Sequence, residues 1–364
     1  MILFSDAYRD RSVFLTGVTG FKGSWMALWL SMMGAKVTGY ALRSHPPSHF
    51  DFLNLGMDMH YEDIRDGQKL EKLLRASKPD IVFHLAAQSL VRYSYANPKE
   101  TFETNVVGTL NLFEACRNCD SIKAVINVTS DKCYENKEWI WPYRENEPMG
   151  GFDPYSASKG CSELLTASYR NSFFNPDRYG RDHHVLIASC RAGNVIGGGD
   201  WAEDRLVPDI VRAASQGKPV DIRNPHAVRP WQHVLEPLSG YLMLGEKLLN
   251  HTSDYAEAWN FGPDETDNQE VMHVLNLMQK NWDQVRYQLP ADKAKLHEAT
   301  LLRLDSTKAR VKLGWKSIWH TDTAVKMTAD WYRAYYESNR LLSRKQLDSY
   351  ITDAFKAGSA WIHS

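Results

Sequence analysis

Short apolar segments alternate with longer amphipathic segments through the first half of the chain. Residues 12–16, 36–41, 80–84, 124–128 and 185–189 are short, apolar and rich in strand-forming residues. The stretches 99–116 and 154–172 between them have helical periodicity. Strands that alternate with helices predict an α/β fold with a doubly wound parallel sheet of the Rossmann type.

The pattern changes after about residue 180. Loops are predicted at 192–201 and 229–233, a short strand at 220–222, and helices at 268–280, 306–313, 321–337 and 343–357. We therefore predict a dinucleotide-binding domain at 1–180 and a smaller C-terminal α/β substrate lobe at 181–364. Segments around 231–262 are expected to rejoin the first domain.

A glycine-rich turn directly follows the first predicted strand. Gly17 would permit the tight turn, Gly20 would let the backbone approach a pyrophosphate, and Gly23 would let the next helix pack closely. The helix N-terminus adds amide donors and the positive end of a dipole. The alternative is a glycine-rich turn that binds no ligand. The predicted dinucleotide contacts are Gly17, Thr19, Gly20, Phe21, Lys22 and Gly23.

A tyrosine and a lysine lie four residues apart at the start of a predicted helix. Asp153 and Pro154 are typical of the N-cap and first helical positions, so Tyr155 and Lys159 share one helix face. An ammonium group beside a phenol stabilises the phenolate. Lowering the tyrosine pKa from about 10 to near 7 takes roughly 4 kcal/mol. The pair is a candidate base for oxidation of an alcohol.

A second polar group follows the predicted strand at 124–128. Ser130, Asp131 and Lys132 lie at the carboxyl end of that strand, where parallel sheets bind ligands. Oxidation of an alcohol needs a tyrosine, a lysine and a serine, but neither a further carboxyl group nor a further amine. Asp131 and Lys132 therefore predict a second proton transfer after the oxidation.

The overall composition argues against several classes of binding partner. The chain has 364 residues, 43 Lys+Arg against 44 Asp+Glu, and a net charge of -1, which gives no electrostatic case for nucleic acid or an anionic membrane. No apolar segment is long enough to span a bilayer, and the apolar N-terminal part is too short for a signal peptide. Five cysteines, with a lone CxxC at 116–119, predict neither a disulfide framework nor a metal site. We expect a cytoplasmic protein.

These motifs resemble the extended short-chain dehydrogenases/reductases and, more narrowly, the nucleotide-sugar 4,6-dehydratases, with the CDP-glucose branch most similar. Nearly the whole chain shares the resemblance, and its most specific segments are 17–23, 130–134, 155–159, 191–197 and 229–234. The resemblance implies NAD as cofactor, CDP-glucose as substrate, and a lyase reaction in deoxysugar and O-antigen synthesis. It also implies a homodimer formed through the helices at 97–116 and 154–172.

The implied reaction assigns roles to the two polar groups. Tyr155, activated by Lys159, removes the proton from the sugar 4-hydroxyl, Ser130 hydrogen-bonds the same oxygen, and hydride passes from C4 to the nicotinamide. A base then removes the C5 proton while Asp131 protonates the leaving 6-hydroxyl, hydride returns to C6, and C5 is reprotonated. The family's contacts match this chain at Asp63 and Ile64 for adenine, at Ala86, Ala87 and Asn105 for the cofactor, and at Asn194 for the substrate.

Two positions depart from the wider family pattern. Relatives acting on dTDP-glucose usually carry glutamate as the C5 base, whereas this chain has Lys132. Lys132 acts as a base only with a strongly depressed pKa, or it holds the enolate as a cation. The second predicted strand ends without the acidic residue typical of NAD sites, and Arg43 follows it. Local physics slightly favours NADP, but we follow the resemblance and expect NAD, with Arg43 among its contacts.

The remaining candidates lie in the second half of the chain. Arg205, Arg229 and Arg303 are candidate ligands of a diphosphate, and surface arginines in solvated pairs are the alternative. Two other functions stay open. A nucleotide-sugar 4-epimerase would need Tyr155 but not Asp131, and a non-catalytic dinucleotide-binding sensor should have lost Tyr155 or Lys159.

Overall fold

The chain forms both strands and helices within residues 1–222, 224–289 and 301–363, which this computed structural model describes. The strands are β1 (Ile2–Leu3), β2 (Ser12–Thr16), β3 (Lys36–Ala41), β4 (Asp58–Tyr61), β5 (Ile81–His84), β6 (Ala124–Val128), β7 (Leu186–Ala192), β8 (Asn194–Ile196), β9 (Val220–Asp221), β10 (Val228–His233), β11 (Ala258–Phe261), β12 (Asn268–Glu270), β13 (Tyr287–Gln288) and β14 (Ile362–His363). The helices are α1 (Phe21–Met32), α2 (His49–Leu53), α3 (Gly67–Ser77), α4 (Val91–Ala96), α5 (Pro98–Phe102), α6 (Gly108–Arg117), α7 (Pro154–Ser172), α8 (Leu206–Ser215), α9 (Leu235–Leu249), α10 (Val271–Asn281), α11 (Thr321–Ser338) and α12 (Ser343–Lys356).

The main sheet has seven strands in the order β11-β7-β6-β5-β2-β3-β4. Every neighbouring pair in it is parallel. The chain runs outward from β2 to β4, returns to β5 on the other side of β2, and continues outward to β11. This reversal opens a crevice at the carboxyl ends of β2 and β5, where sheets of this kind bind ligands. The predicted Rossmann-type fold is confirmed.

Both faces of the main sheet are covered, which is why its central strands are mostly apolar and almost fully buried. Along β2, Val13 and Leu15 belong to one core cluster and Phe14 to the other, as the two-residue period of a strand requires. The first cluster includes α1 and α9, and the second includes α3 and α6. This double cover makes the sheet a rigid support for the loops at its carboxyl edge.

A smaller set of strands lies beside the main sheet. β10 pairs in parallel with β8 and antiparallel with β12, and β9 pairs with β13. β7 and β11 both follow residue 180, yet both belong to the main sheet. The division of the chain at residue 180 remains a prediction. Among the described residues, no helix is long and apolar enough to cross a membrane.

Three predicted elements differ in the structure, and the main sheet has an edge strand that was not predicted. Residues 192–201, predicted as a loop, contain the end of β7 and all of β8, and 229–233 lies in β10, because these two segments pair with each other. The helix predicted from 268 starts at Val271, since Asn268–Glu270 pairs with β10. β4 was not predicted, because Asp58–Tyr61 is a mostly polar strand at the sheet edge.

Candidate active site

The glycine-rich turn between β2 and α1 is packed too closely for side chains at Gly17 and Gly23. Gly17 has a φ of +70°, and a Cβ added there would lie 2.6 Å from the backbone of Leu85 and Ala86. A Cβ on Gly23 would lie 2.1 Å from the Gly17 carbonyl oxygen. Gly20 caps α1 in an extended conformation without any side-chain hydrogen bond to the helix N-terminus. These close approaches fit a dinucleotide pyrophosphate on the amides of α1.

A cleft of about 1020 Å³ extends from this turn to the smaller lobe. Its volume is at the upper end of the roughly 300–1,000 Å³ typical of small-molecule sites, which suits two ligands bound together. The predicted residues that line it are Gly17, Thr19, Gly20, Phe21, Lys22, Gly23, Asp63, Ile64, Ala86, Ala87, Ser130, Asp131, Lys132, Tyr155, Lys159, Asn194, Arg205 and Arg229.

Three predicted contact residues lie outside this cleft. The Arg43 guanidinium lies over the Tyr61 ring at 4.3 Å. Asn105 is buried behind the wall, where its side chain bonds Gln88 and donates to Ser158 Oγ at 2.8 Å. Arg303 lines a separate, smaller pocket. The structure therefore does not bring these three together with the others, and their predicted roles remain predictions.

The start of α7 positions Tyr155 and Lys159. The Asp153 carboxylate accepts from Ser156 N at 2.9 Å and caps the helix, and Pro154 takes the first position. Tyr155 N also donates to Ser94 Oγ at 3.1 Å. Lys159 Nζ donates to the Val128 carbonyl at 3.4 Å, at the end of β6. The helix thus holds both side chains at the carboxyl edge of the sheet.

The pKa of Tyr155 is raised, whereas its spacing from Lys159 predicted a lowered pKa. Burial raises it to about 12, although a hydrogen bond with Ser130 and the positive charge of Arg205 act to lower it. Burial also lowers the pKa of Lys159 to about 8, although the negative charge of Glu163 acts to raise it. The phenol lies in a low-dielectric site, and desolvation outweighs the cations around it.

The turn after β6 positions the second polar group. Ser130 starts a short 3-10 turn, accepts from Lys132 N at 3.2 Å, and donates to Asp131 Oδ1 at 3.0 Å. Asp131 is 4% exposed. Burial raises the pKa of its carboxyl group, against the effects of Lys132, the Ser130 hydrogen bond and Lys22. A raised pKa favours the protonated form that a general acid needs.

Cations converge on the same part of the cleft. Burial, helped by Arg205, lowers the pKa of Lys22 to about 8, and Asp131 opposes this shift. The Arg205 guanidinium pairs with Asp200 at 3.0 Å and donates to Ser89 Oγ at 2.9 Å. Positive charge here favours phenolate, enolate and diphosphate alike. Among the described residues, no group of His, Cys, Asp and Glu side chains could hold a metal ion.

Sequence reasoning missed two buried residues behind the site, Glu163 and Arg191. Glu163 follows Lys159 by about one turn of α7, and Arg191 lies in β7. They form an ion pair of 2.7 Å, with both side chains less than 5% exposed. The four-residue spacing from Lys159, and the place of Arg191 in the 191–197 motif, are the signals that could have drawn attention to them.

Known proteins are similar to this chain in sequence. A profile of the GDP-mannose 4,6 dehydratase family matches residues 14–328. The CDP-glucose 4,6-dehydratase of Salmonella typhimurium is 49% identical over 350 residues, which cover 95% of this chain and 97% of that protein.

Solved structures of two UDP-glucose 4-epimerases have the same fold. A UDP-glucose 4-epimerase of Thermotoga maritima with UDP-glucose is 23% identical, with a TM-score of 0.76 over 88% of this chain and 98% of the other. A UDP-glucose 4-epimerase of Thermus thermophilus in complex with NAD is 22% identical, with a TM-score of 0.73 over 88% and 99% of the two chains. At these identities the likeness establishes the fold alone.

Proposed function

The chain belongs to the GDP-mannose 4,6 dehydratase family, and from this membership we propose that it converts CDP-D-glucose to CDP-4-dehydro-6-deoxy-D-glucose and water. Its predicted membership of the nucleotide-sugar 4,6-dehydratases is confirmed. The observation that carries the proposal is the presence of two acid–base groups in one cleft, Tyr155 with Lys159 and Asp131 with Lys132. The near full-length similarity to a CDP-glucose 4,6-dehydratase supports the choice of nucleotide.

NAD is the proposed cofactor, and the geometry of the turn after β2 supports it. Gly17, Gly20 and Gly23 would hold the pyrophosphate, and Asp63 would hold the adenine. The chemistry that NAD supplies when bound is acceptance of hydride from the sugar C4 and its later return to C6, and its positive ring favours a nearby phenolate.

Tyr155 removes the proton from the 4-hydroxyl of the sugar in the first step. Ser130, which interacts with the Tyr155 phenol, donates a hydrogen bond to the same sugar oxygen. Arg205 supplies positive charge that lowers the pKa of Tyr155, and we propose that Lys159, one turn along α7, adds to it as the phenolate forms. Because burial holds the pKa of Tyr155 at about 12, these cations are needed for the tyrosine to act as a base near neutrality.

Asp131 acts in the second step, the loss of water. The 4-ketone makes the C5 proton acidic, so its removal places an electron pair in an enolate that expels the 6-hydroxyl. Asp131 gives its proton to that hydroxyl, and the raised pKa of its carboxyl group keeps the proton available. Lys132 is next to this acid and is either the C5 base or a cation that holds the enolate.

Replacing Lys132 with arginine distinguishes these two roles, because arginine keeps the charge but cannot act as a base. Deuterium uptake at C5 that persists in Lys132→Arg would assign Lys132 the cation role. Loss of that uptake, with C4 oxidation retained, would assign it the base role.

The proposed function is tested by one reaction in deuterated water with CDP-glucose and NAD. We expect a product lighter by one water, with a single deuterium at C5 from solvent, as read by mass spectrometry and NMR. A product of unchanged mass, inverted at C4, would instead identify a 4-epimerase. That alternative is not favoured, because an epimerase has no use for a buried acid such as Asp131.

A homodimer is the proposed assembly. Apolar side chains are exposed on the outer faces of α5, α6 and α7, and Phe102, Leu110 and Leu164 are 36%, 37% and 60% exposed. Two copies would bury these faces in a four-helix interface. We expect the mass of a dimer in solution and that of a monomer for Leu164→Arg. Leu341→Arg, at an exposed leucine after α11, is the matched control and should stay dimeric.

The proposed location is the cytoplasm, and the proposed context is the synthesis of deoxysugars for surface polysaccharide such as O-antigen. All five cysteines are free, as is usual in a reducing compartment. The product keeps an activating nucleotide and a 4-ketone, so a transaminase, reductase or dehydratase acting on a keto sugar would consume it.

A further inference from the structure

We propose that the buried Glu163–Arg191 ion pair is a positioning device for the water-loss step. It ties the 129–134 segment, which carries Ser130, Asp131 and Lys132, to the helix that carries Tyr155. This inference rests on the proposed dehydratase function.

One end of the 129–134 segment is held by Glu163. The Glu163 carboxylate accepts from Thr129 Oγ1, from Ser189 Oγ at 2.8 Å, and from Arg191 Nη2 at 2.7 Å. It is 3% exposed, and Arg191 with the other hydrogen bonds keeps its pKa low in spite of burial. Thr129, the first residue of the segment, is thereby bonded to α7 at Glu163, about one turn after Lys159.

The other end of the segment is held by Arg191. Its Nη1 donates to the Tyr134 hydroxyl at 2.6 Å and to the Glu145 carbonyl at 3.0 Å. The Tyr134 hydroxyl in turn donates to Asn260 Oδ1 at 2.8 Å, in β11. Both ends of the 129–134 segment are thus bonded to the two halves of one ion pair, and Asp131 lies between them.

The two groups of catalytic side chains depend on this pair to different degrees. Tyr155 is held by the N-cap of α7 and by Ser94, which do not involve the pair. Asp131 lies in a short 3-10 turn, and its carboxyl group bonds Ser130 within that turn. Backbone bonds to Cys190 and Gly150 also hold the segment, but at both of its ends the side-chain bonds go to the ion pair. Loosening the ion pair should displace the acid more than the base.

The energetics favour a positional role over a stabilising one. Replacing a buried ion pair with apolar side chains is often neutral or stabilising, because two charges have been taken from water. The Arg191 Nε is buried without a hydrogen-bond partner among the described residues, which adds to this penalty. The pair is therefore better explained by the geometry it imposes than by the stability it adds.

The test compares two reactions of the same enzyme. CDP-6-deoxy-D-glucose has no 6-hydroxyl to lose, so with NAD it reports C4 oxidation alone through the near-ultraviolet absorbance of reduced nicotinamide. CDP-glucose reports water loss. For the double variant Glu163→Leu/Arg191→Met, we expect oxidation within a few-fold of wild type and water loss slower by about 100-fold, as for an acid misplaced by roughly 1 Å.

Two further variants keep the test decisive if the double variant does not fold. Tyr134→Phe removes only the hydroxyl that joins Arg191 to the segment, and it should shift the ratio of water loss to oxidation in the same direction by a smaller factor. Glu236→Gln is the matched control, since Glu236 is buried in α9 and accepts from Trp319 N and Ile318 N outside the cleft. Its ratio should equal that of wild type, whatever its melting temperature.

The outcomes separate this inference from the proposed function. Wild-type enzyme that loses no water from CDP-glucose would refute the proposed function. Wild-type water loss, combined with equal effects on both reactions in Tyr134→Phe and in the double variant, would refute only the positioning role. A lowered ratio in the pair variants, with the Glu236→Gln ratio unchanged, supports it.

Discussion

The oxidation group on α7 and the elimination group after β6 are built in different ways. Tyr155 and Lys159 lie on one face of a capped helix, where neighbouring residues in the sequence determine the geometry. Asp131 lies in the 129–134 segment. The two ends of that segment are bonded to Glu163 and Arg191, which are distant from it in the sequence. The oxidation group is therefore oriented by its own helix, with Ser94 and Val128 as distant contacts, whereas the elimination group is oriented mainly by distant residues. Each variant below alters one of these two groups.

The largest effect is expected for Tyr155→Phe, which removes the base of the first step. Both C4 oxidation and water loss should fall by about 1,000-fold or more, within the range for loss of a general base. Tyr169→Phe, on the same helix, is the control, since the Tyr169 hydroxyl bonds Glu114 outside the cleft. Rates with CDP-6-deoxyglucose and CDP-glucose check this. A variant that still oxidises C4 at the wild-type rate would remove Tyr155 from its role.

The lowered pKa of Lys159 leads us to expect that the free energy of unfolding depends on pH. Its folded pKa of about 8 is below the ordinary 10.5, so between these values the unfolded chain binds more protons and stability rises with pH. Relative to Lys159→Met, wild type should gain about 3 kcal/mol across this window and nothing below it. Denaturant unfolding of both proteins at several pH values measures the difference. A flat difference would mean that Lys159 is not desolvated.

Asp131→Asn should separate the two chemical steps. The asparagine cannot protonate the leaving hydroxyl, so water loss should fall by about 100-fold while C4 oxidation persists and reduced nicotinamide accumulates. The 6-deoxy-6-fluoro analogue should partly restore elimination, because fluoride leaves without a proton. Normal dehydration of CDP-glucose by this variant would contradict the role given to Asp131.

The smallest effect is expected for Gly193→Ala. A Cβ there would lie 3.1 Å from Asp131 Oδ2, so the carboxyl group must move by a few tenths of an ångström. Water loss should fall by about three-fold with oxidation unchanged. Gly262→Ala is equally crowded, by the Leu304 Cβ at 3.0 Å, and serves as the control outside the cleft. Equal effects of the two alanines would argue against a sensitive position for Asp131.

The contrast between the two groups also explains what the sequence could predict. The turn at Gly17 and the start of α7 were predicted because their signals are local: glycine spacing in one case, a cap and a proline in the other. The contacts of Asp131 with distant cations and the ion pair behind it depend on the fold, and no periodicity reports them. The direction of the Tyr155 pKa was wrong for the same reason, because desolvation depends on packing.

Two predicted contact residues lie outside the cleft because of contacts that only the fold creates. Arg43 stacks on Tyr61, which is brought beside it by the pairing of β3 with the unpredicted edge strand β4. Arg303 lines the smaller pocket together with Asp264 and Arg310. Asp264 is distant from Arg303 in the sequence, so its position beside Arg303 depends on the fold. A charged residue near a motif is therefore a weak guide to a ligand contact when the surrounding strands are not known.

The most direct test of the account is the fate of the hydrogen at C4. CDP-glucose deuterated at C4 should give a 4-keto-6-deoxy product that carries the deuterium at C6, because hydride leaves C4 and returns to C6 within one turnover. NMR and mass spectrometry of the product read the position. Deuterium that returns to C4, in a sugar of unchanged mass, would contradict dehydration and make Asp131 and Lys132 structural residues of an epimerase.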